Sequence, residues 1–496
     1  MKGRTGGNQC SKRAKKLGDQ ARVTVETVGE PLVPSARLVE VCLRFGVPMS
    51  VPGRTIASGL AFGLEPGAIT LITGPSGSGK SLLLSELARH FPTSRQVQNV
   101  QFPLDVAVLD AVAPTRPVSE ALGLLTACGL GEPMLWIRRF GHLSDGERFR
   151  ARLARAISLH RRSSASGPLL CDEFGAILHR RLAKAVAFNL RKLASRESLT
   201  LVVATGRDDL ERDLHPDRIV RLGGAEPVVE ERSVSGAEPQ SAAARRPDRT
   251  RRNTISFARE LRIERGTLRD YGGFSGMHYR QRDQVGFVDK VFVMRHGVGG
   301  EPLGVVVYGH PLLELALRNR VTRGRFVRQA RRLNRELRVL KRLVIHPDVR
   351  GCGLGHWLVR RTLPLVRTRY VECLAAMGAI NPVFEKAGMR RVGVCRPPAS
   401  LDETVAKLRA AGADPLAADF VSQVCRRASL RRLVAASVHT WYRSTTGGGE
   451  QRVARQSPTT LARTFRQLAG SQPVYFIWAQ DQEAWALIER GMRNDE

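Results

Sequence analysis

The sequence predicts an α/β chain built as two units in tandem, and three observations predict it. The apolar run Ala68 to Thr73 (AITLIT) ends in Gly74 to Ser81 (GPSGSGKS) and leads into the apolar-periodic run Leu82 to Leu87, giving strand, glycine turn and helix. A second passage of the same kind, LKRLVIHPDVRGCGLG, occupies Leu340 to Gly355. Between them, Glu226 to Asn253 is rich in Pro, Ser, Ala and charge and reads as a linker. The expected organisation is a basic flexible tail at 1–35, a first α/β unit at 36–226, a linker at 227–253, a second α/β unit at 254–400, and a small, mostly helical C-terminal extension at 401–496.

In the first unit, G-x-x-x-x-G-K-[ST] at a strand-to-helix turn is a P-loop pattern. Gly74, Ser76, Gly77 and Gly79 let backbone N–H groups close around phosphate oxygens at a helix N-terminus. Lys80 reaches the β/γ-phosphates, and Ser81 is placed to ligate Mg²⁺. The expected ligand is a nucleoside triphosphate. Downstream lie LSDGERFRAR (Leu143 to Arg152) and GPLLCDE (Gly167 to Glu173), the latter a short apolar strand ending in two adjacent carboxylates.

These three motifs, in this order, resemble the ABC-type ATPase family. The resemblance implies ATP and Mg²⁺ as cofactors and an ATP-dependent homodimer, in which Ser144 and Gly146 of one protomer close the ATP site of another. It implies Asp172 as a holder of the Mg²⁺ shell and Glu173 as the residue that orients or deprotonates the attacking water. Two departures bear on hydrolysis. LVVATGRDDL (Leu201 to Leu210) has Gly206 and Arg207 where the family places a γ-phosphate-sensing histidine, and His179 stands where its D-loop carries aspartate. Arg207 is a cation able to touch a γ-phosphate, yet it cannot shuttle a proton at neutral pH. ATP binding with slow or conditional hydrolysis is expected. The short gap between the P-loop and LSDGE, which stands for the family's signature motif, predicts a trimmed helical subdomain. No run approaches the roughly twenty apolar residues that a membrane span needs, so a non-transporter role without a membrane partner is expected.

In the second unit, Arg350, Gly351, Gly353 and Gly355 form an R-x-x-G-x-G turn after an apolar strand and before a helix from His356. A bulky anion at such a turn needs close backbone approach, which Cβ atoms would obstruct. The passage resembles the GNAT acyltransferase family, as does Tyr370 to Met389 (YVECLAAMGAINPVFEKAGM). The resemblance implies a coenzyme A pyrophosphate on the amides of this turn, with acetyl-CoA or another acyl donor as cofactor. Asn381 lies near the family's usual asparagine, and Phe384 stands where many members carry a proton-donating tyrosine. Phenylalanine has no proton to give. Alternative acid or acceptor-site residues are His278 and Tyr279 in FSGMHYR, His346 and Glu372, each equally readable as a satisfied structural polar group. A closer resemblance is to proteins that fuse an ABC-type ATPase to a predicted acetyltransferase, related to phage Mom-type DNA-modification enzymes. It rests on HYR at 278–280 and the passages 333–355 and 371–389, and it implies a DNA base as acceptor.

The fold class is therefore α/β: a P-loop ABC-type ATPase domain, then a GNAT-like α/β acyltransferase domain and a small C-terminal extension. The net charge of +33 and pI near 11 point toward a polyanion such as nucleic acid, DNA in particular. Arg318 to Arg342 concentrates eleven basic residues against one acid, Glu336. This segment is a candidate phosphate track beside the acceptor cleft, or a solvated arginine face. The eight cysteines form no C-x-x-C pair, which fits a reducing, cytoplasmic setting rather than a disulfide framework or structural zinc. Met1 to Arg22 lacks an apolar core of the kind a secretory signal needs. Three readings follow: an ATP-gated GNAT-like transferase on nucleic acid, an N-acyltransferase on a protein or small-molecule amine, and a nucleotide-dependent DNA-binding clamp with an inactive acyltransferase fold.

Overall fold

The computed structural model describes residues 20–27, 33–50, 53–160, 167–224, 226–231, 254–278, 285–395, 399–445, 453, 455–470 and 472–493. Three sheets organise them. The first is a two-stranded antiparallel ladder of β1 (Gln20–Thr27) and β2 (Arg54–Gly63). The stretch expected as a flexible tail at 1–35 thus contains a strand. Val23 and Val25 are buried with Phe62, Leu64, Leu83 and Leu87, and that apolar contact orders the segment.

The second sheet comprises β3 (Ile69–Thr73), β4 (Arg95–Gln96), β5 (Leu169–Cys171), β6 (Leu201–Thr205), β7 (Arg218–Arg221) and β8 (Val228–Glu231), in the order β4-β5-β6-β3-β7-β8. All pairs are parallel except β7 with β8. Every residue of β3, β5 and β6 is buried, as parallel strands covered on both faces require, which is why AITLIT and LVVAT read as unbroken apolar runs. The expected linker start at 227 falls inside β8, whose pairing with β7 carries the sheet to Glu231. Between P-loop and signature, where a trimmed subdomain is expected, the short helices Val108–Val112 and Val118–Ala127 pack on the signature helix Asp145–His160, and Pro133–Trp136 packs on the first of them.

The third sheet holds β9 (Leu261–Gly266), β10 (Val288–His296), β11 (Pro302–Gly309), β12 (Leu337–Ile345), β13 (Tyr370–Ala375), β14 (Arg390–Val394) and β15 (Val474–Ala479), ordered β14-β15-β13-β12-β11-β10-β9. The first four strands form an antiparallel meander. β12 and β13 are parallel and register only over Leu337–Val339 against Tyr370–Glu372. β15 lies between β13 and β14, so the sheet continues past the boundary expected at 400. The helices Ala399–Ala410, Phe420–Arg426, Ala428–Thr445 and Pro458–Gly470 form a satellite cluster before that returning strand. The apolar run VYFIWA is buried almost throughout because it is an interior strand.

A buried ion pair ties this sheet to the basic run. Arg318 is fully buried on the helix Ala316–Val321 and donates to Glu372 of β13 at 3.1 Å, while the Tyr475 hydroxyl of β15 donates to the other carboxylate oxygen at 2.9 Å. Burial pushes the Glu372 carboxyl up, and Arg318 and Tyr475 oppose that rise. Glu372→Ala would leave an unpaired guanidinium in the core, an expected loss of about 3–5 kcal/mol. Urea unfolding of the full chain measures it; a loss under about 1 kcal/mol would mean that the pair does not hold this sheet.

Candidate functional site

Parallel strands present their carboxyl ends on one edge, and the nucleotide motifs collect there. The P-loop follows β3, the carboxylate pair follows β5, and Gly206 follows β6. Gly74, Gly77 and Gly79 have φ of 150°, 77° and 91°, backbone that disfavours side chains. At Gly74 an added Cβ would lie 2.3 Å from the Leu222 carbonyl oxygen, and at Gly79 it would lie 2.5 Å from Ile56. Gly79 opens the helix Lys80–His90. Lys80 Nζ donates to the carbonyls of Gly74 (2.8 Å) and Pro75 (2.7 Å), across the mouth of the loop. Ser76 and Ser81 are exposed. These residues fit a Mg²⁺-bound triphosphate: the loop backbone at Gly74 leaves no room for a Cβ, Lys80 and Ser81 stand at its end, and the carboxylate pair follows β5 on the same sheet edge.

Asp172 accepts at its side chain from the Glu173 amide (2.9 Å), and its carbonyl accepts from Gln98 Nε2 (2.8 Å). Glu173 is exposed and has φ of 48°. A non-glycine residue in that left-handed region is held there by its surroundings, a device that recurs where a side chain must be aimed. Gln98, beside the two-residue strand β4, escaped the sequence reading. A strand so short leaves no periodic signal, and only its pairing with β5 brings Gln98 to Asp172.

Ser144 and Glu147 form a reciprocal cap on the signature helix: the Ser144 amide donates to Glu147 Oε2 (2.8 Å), and the Glu147 amide donates to Ser144 Oγ (3.4 Å). Ser144 is exposed. Gly146 lies beside the segment after the carboxylates, with the Ile177 carbonyl 3.5 Å from where a Cβ would stand.

The structure corrects the reading of Arg207. Its guanidinium is committed to the carbonyls of Gly175 (3.1 Å) and Leu178 (3.0 Å) and to both oxygens of Asp209 (3.1 and 3.2 Å), so it braces the D-loop segment instead of a γ-phosphate. Arg180 donates to the same carboxylate at 2.9 Å. Burial works to raise the Asp209 pKa, but the hydrogen bonds from Arg207 and Arg180 prevail and hold it below the usual carboxylate range. The residue next to the P-loop is Gly206, where an added Cβ would meet only the Gly74 carbonyl, at 3.8 Å. His179 is the N-cap of the long helix Arg180–Glu197 and makes no side-chain cap bond.

In the third sheet, the turn from His346 to Gly353 follows β12 and leads into the helix Leu354–Thr362, whose N-cap is Gly353. The helix begins two residues before the expected His356. Gly351 and Gly353 have φ of 84° and 87°. A Cβ on Gly355 would lie 3.1 Å from Val383. Asn381 is exposed and follows β13, so it and the glycine turn stand at the carboxyl ends of the two strands that part beyond Val339 and Glu372. Arg350 donates to the carbonyls of Ile345 (2.8 Å), Gly131 (2.6 Å) and Met277 (2.9 Å), which draws the segment of His278 to the turn. Tyr279 lies outside the described residues. Phe384 is a core residue, 5.4 Å from Phe476 between ring centroids. Glu372, once an acid candidate, is instead bound in the core ion pair, and His346 Nδ1 accepts from the Asp348 amide at 3.4 Å. The Cys352 thiol is pushed up to about 12 by burial, which removes it as a nucleophile at neutral pH.

No family model matches the chain. Among curated proteins, the tylosin resistance ATP-binding protein TlrC of Streptomyces fradiae is 38% identical over 117 residues, covering 21% of this chain and 20% of its own length. The methionine import ATP-binding protein MetN of Helicobacter hepaticus is 31% identical over 137 residues, covering 28% and 36%. The Fe(3+) ions import ATP-binding protein FbpC 1 of Rhizobium meliloti is 26% identical over 214 residues, covering 36% and 56%. The chain thus spans from a fifth to just over half of the length of these relatives. Among solved structures, the dimeric bacterial ABC transporter cassette MJ0796 matches at 20% identity, covering 36% of this chain and 91% of its own, with a TM-score of 0.29. The first unit is an ABC-type ATP-binding cassette, as its three ordered motifs and these relatives agree. Among the described residues, no helix is long and apolar enough to cross a membrane.

Two substitutions probe this site. Gly74→Ala is expected to abolish nucleotide binding, read by ATP titration, because the new methyl group would overlap the Leu222 carbonyl. Gly206→His adds a side chain where space exists and is expected to raise phosphate release from ATP at least about tenfold. An unchanged rate would show that the missing imidazole does not limit hydrolysis.

Proposed function

We propose that the chain is an ATP-gated transferase. In this reading the cassette binds ATP with Mg²⁺, hydrolyses it slowly, and pairs with a second copy through Ser144 and Gly146. Lys80 and the amides of Gly74, Ser76, Gly77 and Gly79 hold the phosphates, Ser81 and Asp172 hold the metal shell, and Glu173 orients water. The exposure of Ser144, Glu173 and Ile177 supports pairing, since all three stand on the surface that a partner would cover.

The second unit is read as a GNAT-like acyltransferase acting on nucleic acid, in the manner of Mom-type base modification. The observation that carries this reading is the parting of β12 and β13 with a glycine turn and a helix N-terminus at its mouth. Peptide N–H groups there, in backbone that only glycine adopts readily, suit the pyrophosphate of an acyl-CoA. When bound, an acyl-CoA supplies the activated acyl group; the amides from Gly351 to Gly355 bind its phosphates, and the segments of His278 and Asn381 border the acceptor side. The basic run supports a nucleic-acid acceptor. Arg320, Arg323, Arg328, Arg331, Arg332 and Arg335 are exposed, and Arg323 and Arg328 adopt left-handed backbone, φ 50° and 55°. A second reading, a nucleotide-dependent DNA-binding clamp without transfer, is favoured by one observation: Phe384 is core and supplies no acid.

Mass spectrometry of nucleosides from DNA of cells expressing the chain, beside Lys80→Ala, tests the proposal. A new modified nucleoside that vanishes in the variant is expected. Unaltered DNA with salt-sensitive binding favours the clamp, and coenzyme A turnover without DNA favours an N-acyltransferase on a protein or small-molecule amine. In DNA titrations across salt concentrations, Arg328→Ala and Arg331→Ala are each expected to lower the slope of log K against log salt by about 1. An unchanged slope would remove this run from the DNA path.

A further inference from the structure

The glycine turn after β12 is held by the cassette on its carbonyl side. Asn189 Nδ2 donates to the Arg350 carbonyl (3.3 Å) and Lys192 Nζ donates to the Gly351 carbonyl (2.9 Å), both from the long helix Arg180–Glu197. The approach is close: a Cβ on Gly351 would stand 2.7 Å from Asn189 Nδ2 and 3.3 Å from the Thr126 carbonyl. Arg350 returns the contact by donating to Gly131 of the cassette. Burial lowers the Arg350 pKa from its ordinary value, with Glu132 opposing.

Both cassette segments that touch the turn lead to nucleotide motifs. The 129–131 stretch is bonded to the signature helix, because Arg150 donates to the carbonyls of Gly129 (2.5 Å) and Gly146 (3.0 Å). The long helix starts at His179, and its first residue, Arg180, shares Asp209 with the Arg207 brace. Asn189 lies nine residues along, about 14 Å away at 1.5 Å per residue. A packed helix transmits displacement of one end to the other because its interior does not compress.

We propose that Arg350, Asn189 and Lys192 form a coupling joint, through which ATP-dependent closure at the signature and D-loop resets the turn and so its grip on the acyl-CoA pyrophosphate. The proposal rests on the acyltransferase reading for its ligand, while the mechanical joint stands on the hydrogen bonds alone. These three are positioning residues. Linkage makes the effect reciprocal: if ATP alters coenzyme A affinity, coenzyme A alters ATP affinity by the same factor.

Hydrogen–deuterium exchange of the full-length protein tests the joint, with Glu173→Gln retaining ATP. Adding ATP is expected to change exchange of the 346–355 amides at least about fivefold. With Asn189→Ala and Lys192→Ala also present, the change falls below about twofold while ATP affinity is kept. Arg350→Lys, which keeps the charge but loses the planar fork, is expected to reduce it as well. An ATP effect absent from Glu173→Gln, or undiminished in the double variant, overturns the joint. Calorimetric titration with coenzyme A separates the two ideas: exchange that responds to ATP in a chain that does not bind coenzyme A removes the acyl donor and leaves the joint standing.

Discussion

The two units meet on a helix that has core on both sides. Arg180–Glu197 buries Leu182, Ala183, Val186, Ala187, Leu190 and Leu193 in the cassette, while Ala185 and Phe188 belong to the core under the third sheet. Small residues make that possible, since Ala183, Ala185, Ala187 and Ala194 let two bodies approach one cylinder closely. Arg191 fixes its orientation, donating to the Gly67 carbonyl at 2.9 Å and to Asp217 at 2.7 Å. A helix with so little solvated surface cannot shift alone. The apolar core that joins the units is accompanied by the Arg181–Glu301 pair (2.7 Å) and by the Ser256 amide donating to Asp213 (2.7 Å).

Arginine plays an unusual part in holding the loops. Sixty-eight of the 79 basic residues are arginine, and several half-buried ones serve backbone carbonyls in loops and at the ends of strands. Arg207 covers Gly175 and Leu178, Arg350 covers Ile345, Gly131 and Met277, Arg150 covers Gly129, and Arg218 covers Gly63. A planar fork with five donors suits this work, because one side chain can close several orphaned acceptors at once. The charge is then incidental to the task. Part of the +33 therefore belongs to architecture, and the exposed remainder includes Arg320, Arg323, Arg328, Arg331, Arg332 and Arg335.

The cassette was legible because its signals are local. A phosphate cradle needs glycine at fixed offsets, a buried parallel strand needs an unbroken apolar run, and both leave marks within ten residues. The positions that misled depend on distant partners. Arg207 reads as a cation near a γ-phosphate until Gly175, Leu178 and Asp209 are seen to occupy it. Glu372 reads as a candidate acid on a strand until Arg318, 54 residues away, is found buried against it. The boundary at 400 failed for the same reason. A strand that returns after a helical insertion carries no sequence mark of where it inserts, although its apolar run marked it as a strand.

The same distinction bears on the two glycine turns. Each follows a strand and opens a helix, the first strand parallel to both neighbours and β12 antiparallel to β11 and parallel to β13, but their surroundings differ. The P-loop has Lys80 bridging its own carbonyls, a cation that can leave them for a phosphate without disturbing anything beyond the loop. The second turn has its carbonyls bonded to another unit's helix and its arginine spent on three backbone oxygens. Any rearrangement of its amides must therefore move Asn189 and Lys192 or break their bonds. One turn is self-contained, and the geometry of the other depends on the first unit.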